Sequence, residues 1–173
     1  MRRKAIEELY RWKASADRKP LIVQGARQVG KTWLMKEFAK EAYKKCAYVN
    51  FEDNDMLRQL FEHDFDIQRI INSIQWTTGV TIDTDTLIVL DEIQEAPRGI
   101  TALKYFQEKA PEYHVMAAGS LLGIAMHHND SFPVGKVDFM YLYPLSFFEF
   151  LEAVGEKRMV DLLMSKDWQT ITM

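Results

Sequence analysis

Two glycines, a lysine and a threonine in residues 25–32 follow the spacing G-x-x-x-x-G-K-T. Glycines let the backbone curl so that successive N–H groups point at one bound anion, and a following helix adds the positive end of its dipole. We therefore predict a cradle for a nucleoside triphosphate, in which Lys31 reaches the β- and γ-phosphates and the Thr32 hydroxyl binds Mg²⁺. The residues predicted to contact the nucleotide are Gly25, Ala26, Arg27, Gln28, Val29, Gly30, Lys31, Thr32 and Trp33. For Arg27 and Gln28, simple exposure to solvent is an equally good interpretation.

Two carboxylates, Asp91 and Glu92, directly follow the apolar run 86–90. Such a run predicts a buried strand, and ligands of α/β sheets bind at the carboxyl ends of the strands. Asp91 is therefore the candidate partner of Mg²⁺, together with Thr32. Glu92 has the chemistry to orient and deprotonate a water molecule beside the metal. Taken alone, the two acids would also fit a strand that runs into a solvated turn, so the assignment depends on the upstream loop.

Ser120 and Lys136 are further candidates for contact with the phosphates. Ser120 follows a predicted strand, so its hydroxyl should emerge at the same sheet edge, where we assign it a role in sensing the γ-phosphate. Alternatively, Ser120 caps a helix that begins at Leu121. Lys136 precedes the last predicted strand and is a candidate source of positive charge for the chain's own phosphates or a neighbour's. A surface lysine without such a role is the simpler interpretation.

The elements that position these residues alternate between strand and helix. Short apolar runs predict strands at 21–24, 47–51, 86–90, 113–117 and 137–142. Apolar residues at helical spacing predict helices at 3–13, 31–44, 56–62, 67–76, around 103–106 and at 121–126, and a capping box of Ser146 and Glu149 begins a last helix. The inner face of helix 31–44 is assigned to Trp33, Leu34, Phe38, Ala42 and Tyr43. The alternation predicts an α/β fold with three layers around a mainly parallel five-stranded sheet, as in P-loop nucleoside triphosphatases.

Composition sets the broad class of the protein. A chain of 173 residues with 47% hydrophobic residues fits one domain, for which we take residues 1–155. Residues 156–173 are less patterned and are interpreted as the start of a linker or C-terminal region that continues past Met173. The single cysteine, Cys46, excludes an internal disulfide, and no apolar run is long enough to span a membrane, so we expect a cytoplasmic protein. The net charge of −3 gives no general basic surface for nucleic acid.

Four segments resemble an AAA-type (AAA+) P-loop ATPase family of bacteria and archaea, in which a C-terminal domain of unknown function normally follows the ATPase core. The segments are residues 25–34, 87–95, 118–122 and 144–151. The resemblance implies that the phosphate loop follows strand one, that Asp91 and Glu92 follow strand three, and that Ser120 is the sensor after strand four. Many relatives have arginine where this chain has Lys136, and lysine lacks arginine's two-pronged grip on phosphate. Through the C-terminal domain the family implies an unidentified protein or nucleic-acid client, and assembly into a homo-oligomer is left open.

Three functions are compatible with these residues. The first is Mg²⁺-dependent ATP hydrolysis, slow in an isolated domain, with Lys31, Glu92 and Ser120 as catalytic residues. No Asn-Lys-x-Asp segment is present to read guanine, which favours ATP over GTP. The second is a switch that binds ATP, rarely hydrolyses it and uses the γ-phosphate to order loops that dock a partner. The third, a small-molecule phosphotransferase, is disfavoured because Arg98 is the single arginine between Asp91 and Leu145 that could serve in a lid.

Overall fold

Five parallel strands form one sheet in the computed structural model, which describes residues 3–53, 55–120, 133 and 135–165. The strands are β1 (Leu21–Gly25), β2 (Lys45–Asn50), β3 (Thr86–Asp91), β4 (His114–Ser120) and β5 (Asp138–Tyr141). Their order across the sheet is β2-β3-β4-β1-β5, and every neighbouring pair is parallel. The predicted α/β class and five-stranded sheet are confirmed.

Helices cover both faces of this sheet. They are α1 (Ala5–Ala14), α2 (Lys31–Ala42), α3 (Asp55–Arg58), α4 (Ile67–Thr78), α5 (Gly99–Lys109), α6 (Phe147–Ala153) and α7 (Lys157–Ser165), with 3₁₀ turns at Gln59–Phe61 and Ile93–Glu95. Within the described residues, no helix is both long enough and apolar enough to cross a lipid bilayer.

The core is divided by the sheet into two apolar layers, because successive strand residues point to opposite faces. On one face, Ile22 and Ile88 pack with Ile70 of α4 and Phe106 of α5, among other residues. On the other face, the alternate strand residues pack against α1 and α2, and the residues that form this layer include Leu9, Val23, Leu34, Phe38, Leu87 and Val89. The two layers and the sheet give the predicted three-layer architecture, and they hold the carboxyl ends of β1 and β3 in a fixed frame.

The inner face of α2 differs from the prediction at one residue. Trp33 is 38% exposed, whereas Leu34, Met35 and Phe38 are fully buried. The buried residues recur three and four apart, and Trp33 lies outside this stripe on the flank of the helix. The prediction that Trp33 faces the core is therefore wrong.

Near the C-terminal end of the described chain, the capping box predicted at Ser146 is present at the start of α6. The helix α7 is not among the predicted elements, and it lies within residues 156–173, which the sequence indicates as the start of a linker or C-terminal region. The helix expected at 121–126 lies outside the described residues.

Candidate nucleotide-binding site

The segment between β1 and α2 has the backbone form that a phosphate cradle requires. A Cβ atom at Gly25 would lie 2.3 Å from the carbonyl oxygen of Leu142, so only glycine fits where β1 ends. Gly30 has a φ of 94°, a left-handed conformation that glycine adopts without strain, and it is the residue before the first turn of α2. The loop therefore turns directly into a helix N-terminus, where N–H groups without helical partners favour an anion.

Lys31 folds back over this loop. Its ammonium group donates to the carbonyl oxygens of Gly25 at 3.1 Å and Ala26 at 3.0 Å, and the residue is buried. A buried ammonium needs acceptors, because taking a charge out of water is costly unless it is hydrogen-bonded. Loop carbonyls supply these acceptors, so the positive charge is held against the loop itself, where a bound phosphate would meet it.

Thr32 and Asp91 meet across the sheet. The Thr32 hydroxyl donates to Oδ2 of Asp91 at 2.7 Å, although 58 residues separate them in the chain. Asp91 ends β3 and is 2% exposed, and its Oδ1 accepts from the backbone N–H of Glu92 at 3.1 Å. Hydroxyl and carboxylate oxygens are the ligands that Mg²⁺ prefers, and Thr32 keeps its own lone pairs while it donates its proton to Asp91. The pair therefore suits a magnesium ion held by Thr32 with Asp91 directly behind it.

Tyr48 is a third partner of this carboxylate and is not among the predicted site residues. Its hydroxyl donates to Oδ2 of Asp91 at 2.8 Å from β2, which is paired with β3. Burial and then the hydrogen bond to Asp91 raise the pKa of Tyr48, so the hydroxyl is a donor at neutral pH. The Lys36 ammonium lies 3.8 Å from the centre of the Tyr48 ring, a cation–π contact from α2. No motif marks Tyr48, because its contact with Asp91 depends on the register in which β2 pairs with β3.

Glu92 has a constrained conformation beside Asp91. Its φ of 51° is left-handed, which is uncommon for a residue with a side chain and is often a feature of functional sites. Oε2 of Glu92 accepts a hydrogen bond of 2.6 Å from Nε2 of Gln94, which lies two residues later in the 3₁₀ turn. The carboxylate is thus oriented by Gln94 and only half-buried, so it remains accessible from solvent.

The remaining candidates lie in different places. Ser120 ends β4 in register with Gly25, so the two residues are neighbours at the carboxyl edge of the sheet. Lys136 precedes β5 and forms an ion pair of 3.1 Å with Glu108 of α5. It lies at the amino edge, opposite the phosphate loop, because β5 runs parallel to β1 and Lys136 comes before it. The structure therefore does not bring Lys136 to the phosphate loop of its own chain.

The other loop residues predicted to contact nucleotide are accessible. Ala26, Arg27 and Gln28 are exposed at the tip, and Val29 and Gly30 are half-buried. Gln28 has a left-handed φ of 64°, and Trp33 presents its exposed ring on the first turn of α2. The exposure of Arg27 and Gln28 fits both contact with a nucleotide and simple exposure to solvent, the two interpretations given above.

Comparisons with known proteins identify relatives by family and by fold. A family model described as an AAA domain matches residues 17–151. No curated protein sequence matches the chain. Among solved structures, the Aeropyrum pernix ORC1 protein in complex with DNA is similar at 13% identity and a TM-score of 0.53, covering 91% of this chain and 48% of that one. PCH-2 of C. elegans is 15% identical with a TM-score of 0.45, covering 87% and 44% of the two chains. The chain thus spans less than half the length of these two proteins, and at such identities the likeness to ORC1 shows the fold alone.

Proposed function

The chain belongs to the AAA domain family, and from this premise we propose that it binds Mg-ATP and hydrolyses the bond between the β- and γ-phosphates. The observation that carries the proposal is the hydrogen bond of 2.7 Å between Thr32 and Asp91. This contact joins the first turn of the helix after the phosphate loop to the acid that ends β3, and it brings together the oxygen ligands that a magnesium triphosphate needs.

Each site residue has a distinct part in this reaction. The loop N–H groups and the Lys31 ammonium stabilise negative charge on the phosphate oxygens. Thr32 and Asp91 would hold Mg²⁺, which would neutralise negative charge on the phosphates. Glu92 orients a water molecule and takes its proton as the water oxygen bonds to the γ-phosphorus, releasing ADP and phosphate. Ser120, beside Gly25, contacts the γ-phosphate and registers its presence.

A second candidate function is the ATP-gated switch with little turnover. It is favoured by the hydrogen bond that Gln94 makes to Oε2 of Glu92, because that bond occupies an oxygen a general base would use. In this alternative the same residues bind Mg-ATP, and the γ-phosphate orders the surrounding loops instead of being cleaved promptly.

Nucleotide binding is tested by changing Lys31 to alanine. We expect ATP affinity measured by calorimetry to fall at least about tenfold, equivalent to about 1.4 kcal/mol, because a charge-assisted contact to phosphate is lost. Lys40→Ala is the matched control, since Lys40 is an exposed lysine of the same helix, away from the loop. Equal ATP affinity in wild type and Lys31→Ala would contradict the proposed site.

The hydrolysis arm of the same test uses Glu92→Gln, which keeps the size of the side chain and removes the base. We expect phosphate release to fall about 10²–10⁴-fold while ATP still binds. Glu95→Gln, in the same 3₁₀ turn and exposed, should hydrolyse ATP like wild type. If wild type and Glu92→Gln bind ATP equally and release phosphate equally slowly, the switch replaces the ATPase.

A further inference from the structure

Arg3 is buried, which is uncommon for an arginine side chain. It precedes α1 and is only 5% exposed. One terminal nitrogen donates to the carbonyl oxygen of Val29 at 3.2 Å, and the other donates to the carbonyl oxygen of Tyr143 at 2.7 Å. A buried guanidinium needs acceptors, and here two of them are main-chain oxygens, one in the phosphate loop and one after β5. Arg3 therefore bridges two segments that are far apart in sequence.

The contact to Val29 constrains one peptide unit of the loop. In a trans peptide, the C=O of one residue and the N–H of the next point in opposite directions, and no cis peptide bond is present in the described part of the chain. Holding the Val29 carbonyl toward Arg3 therefore turns the N–H of Gly30 away from Arg3. Since Gly30 has left-handed freedom, this peptide would otherwise be easy to flip. The orientation of the peptide between Val29 and Gly30 decides whether the loop offers an N–H or a carbonyl oxygen to an anion.

Glu149 ties the same arginine to the start of α6. Its Oε1 lies 3.4 Å from Nε of Arg3 and accepts from the backbone N–H of Lys4 at 3.1 Å. Its Oε2 accepts from the backbone N–H of Ser146 at 2.9 Å, which forms one half of the capping box. Burial alone would raise the pKa of Glu149, but the hydrogen bonds from Ser146 and Lys4 and the charge of Arg3 hold it below its usual value. The carboxylate is therefore ionised at neutral pH and joins α1, α6 and Arg3.

We propose that Arg3 is a positioning residue for nucleotide binding, which fixes the peptide between Val29 and Gly30 and connects the phosphate loop to residues 143–149. This inference rests on the proposed function, because it assumes that the loop binds phosphate. Arg3 acts through the backbone and does not contact the nucleotide. The capping box at Ser146, which the ATPase chemistry leaves without a role, thereby becomes part of the support for the loop.

The test compares Arg3→Met and Arg3→Lys with wild type in the full chain. Methionine keeps the apolar stem and removes every donor, so we expect ATP and ADP affinity to fall about tenfold, with a raised KM and an unchanged kcat at saturating ATP. Lysine restores the charge, but its single ammonium group cannot bond to both carbonyl oxygens as the planar guanidinium does. Arg3→Lys should therefore recover part of the ATP affinity. The amide resonance of Gly30 in nucleotide-free protein should shift in Arg3→Met. Arg11→Met, on the exposed side of α1, should behave like wild type.

The outcomes separate this inference from the proposed function. If wild type binds ATP, Lys31→Ala does not, and Arg3→Met binds as wild type with an unshifted Gly30 resonance, the role of Arg3 is overturned while the ATP site stands. A lower unfolding temperature with unchanged affinity would equally overturn it, since that marks a purely structural arginine. If Arg3→Met does not fold, the affinity and Gly30 resonance of Arg3→Lys decide in the same way. If wild type itself binds no ATP, the failure belongs to the proposed function.

Discussion

At the residue scale, the molecule organises its candidate site around one buried carboxylate. Asp91 accepts hydrogen bonds from Thr32, Tyr48 and the backbone of Glu92. The sequence predicts that Thr32 and Asp91 belong to one site, because Asp91 ends one buried strand and Thr32 follows the glycine loop at the end of another. It cannot predict Tyr48, whose contact depends on which strand lies beside β3 and in which register. The pairing of β2 with β3 determines both, and no sequence motif indicates it.

Replacing Tyr48 with phenylalanine tests the importance of that contact. We expect the Mg²⁺ concentration needed for half-maximal ATP binding to rise about tenfold, because residues that orient a metal ligand typically contribute 10–100-fold to affinity. The measurement is a titration of Mg²⁺ with fluorescent ATP analogue present. Tyr43→Phe is the matched control, since Tyr43 also lies under a lysine but hydrogen-bonds to His114 at 2.6 Å. Equal Mg²⁺ dependence in the two variants would rule out an orienting role for Tyr48.

At the scale of elements, hydrophobic periodicity predicts where strands and helices lie more reliably than which side a given residue faces. The strands that carry Gly25, Asp91 and Ser120 are found near their predicted positions, because uninterrupted apolar runs are typical of strands buried on both faces. The prediction for Trp33 is wrong because its angle around the helix places it beside the buried stripe, although its side chain is aromatic. The position of Lys136 required the direction of β5 relative to β1, which only the sheet provides.

Two aromatic residues of α2, Phe38 and Trp33, allow a buried and an exposed position of the same helix to be compared. Phe38 is fully buried and packs edge-on against Tyr10 and Tyr43 at ring distances of 5.2 and 5.7 Å. We expect Phe38→Ala to lower the free energy of unfolding by about 3–5 kcal/mol, because it opens a cavity in the core. Trp33→Ala should cost at most about 1 kcal/mol, as is usual for side chains near the surface. The free energy of unfolding of the two variants is measured by urea denaturation. Equal decreases would show that Trp33 contributes to the core as Phe38 does and would contradict its assignment to the surface.

At the scale of the whole molecule, the carboxyl and amino edges of the sheet have different roles. The carboxyl edge gathers the phosphate loop, Asp91 and Ser120. At the amino edge, His114 begins β4, meets the rings of Trp12 and Tyr43, and hydrogen-bonds to the Tyr43 hydroxyl. These contacts join α1, the end of α2 and the sheet, so the amino edge stabilises the packing of these helices on the sheet.

Stability should depend on pH through His114. Burial, followed by the nearby charges of Arg18 and Lys13, lowers the pKa of His114 to about 4 from 6.5. Between these values the unfolded chain binds a proton that the folded chain does not, so stability falls as the pH falls from 6.5 to 4. In urea denaturation at pH 7.5 and 5, His114→Gln should lose less stability than wild type over this interval. His63→Gln removes an exposed histidine and should keep the wild-type slope; an unchanged slope in His114→Gln would contradict the assignment.

The strand order also bears on how the protein is made. β1 carries the phosphate loop, yet both of its neighbours, β4 and β5, come from the second half of the chain. During synthesis, β1 leaves the ribosome long before either neighbour, and the carbonyl of Leu142 that confines Gly25 follows later still. Contacts between segments so distant in sequence close slowly. The sheet around the phosphate loop therefore cannot close until translation has passed Leu142, so the loop reaches its folded conformation long after its own residues have been made.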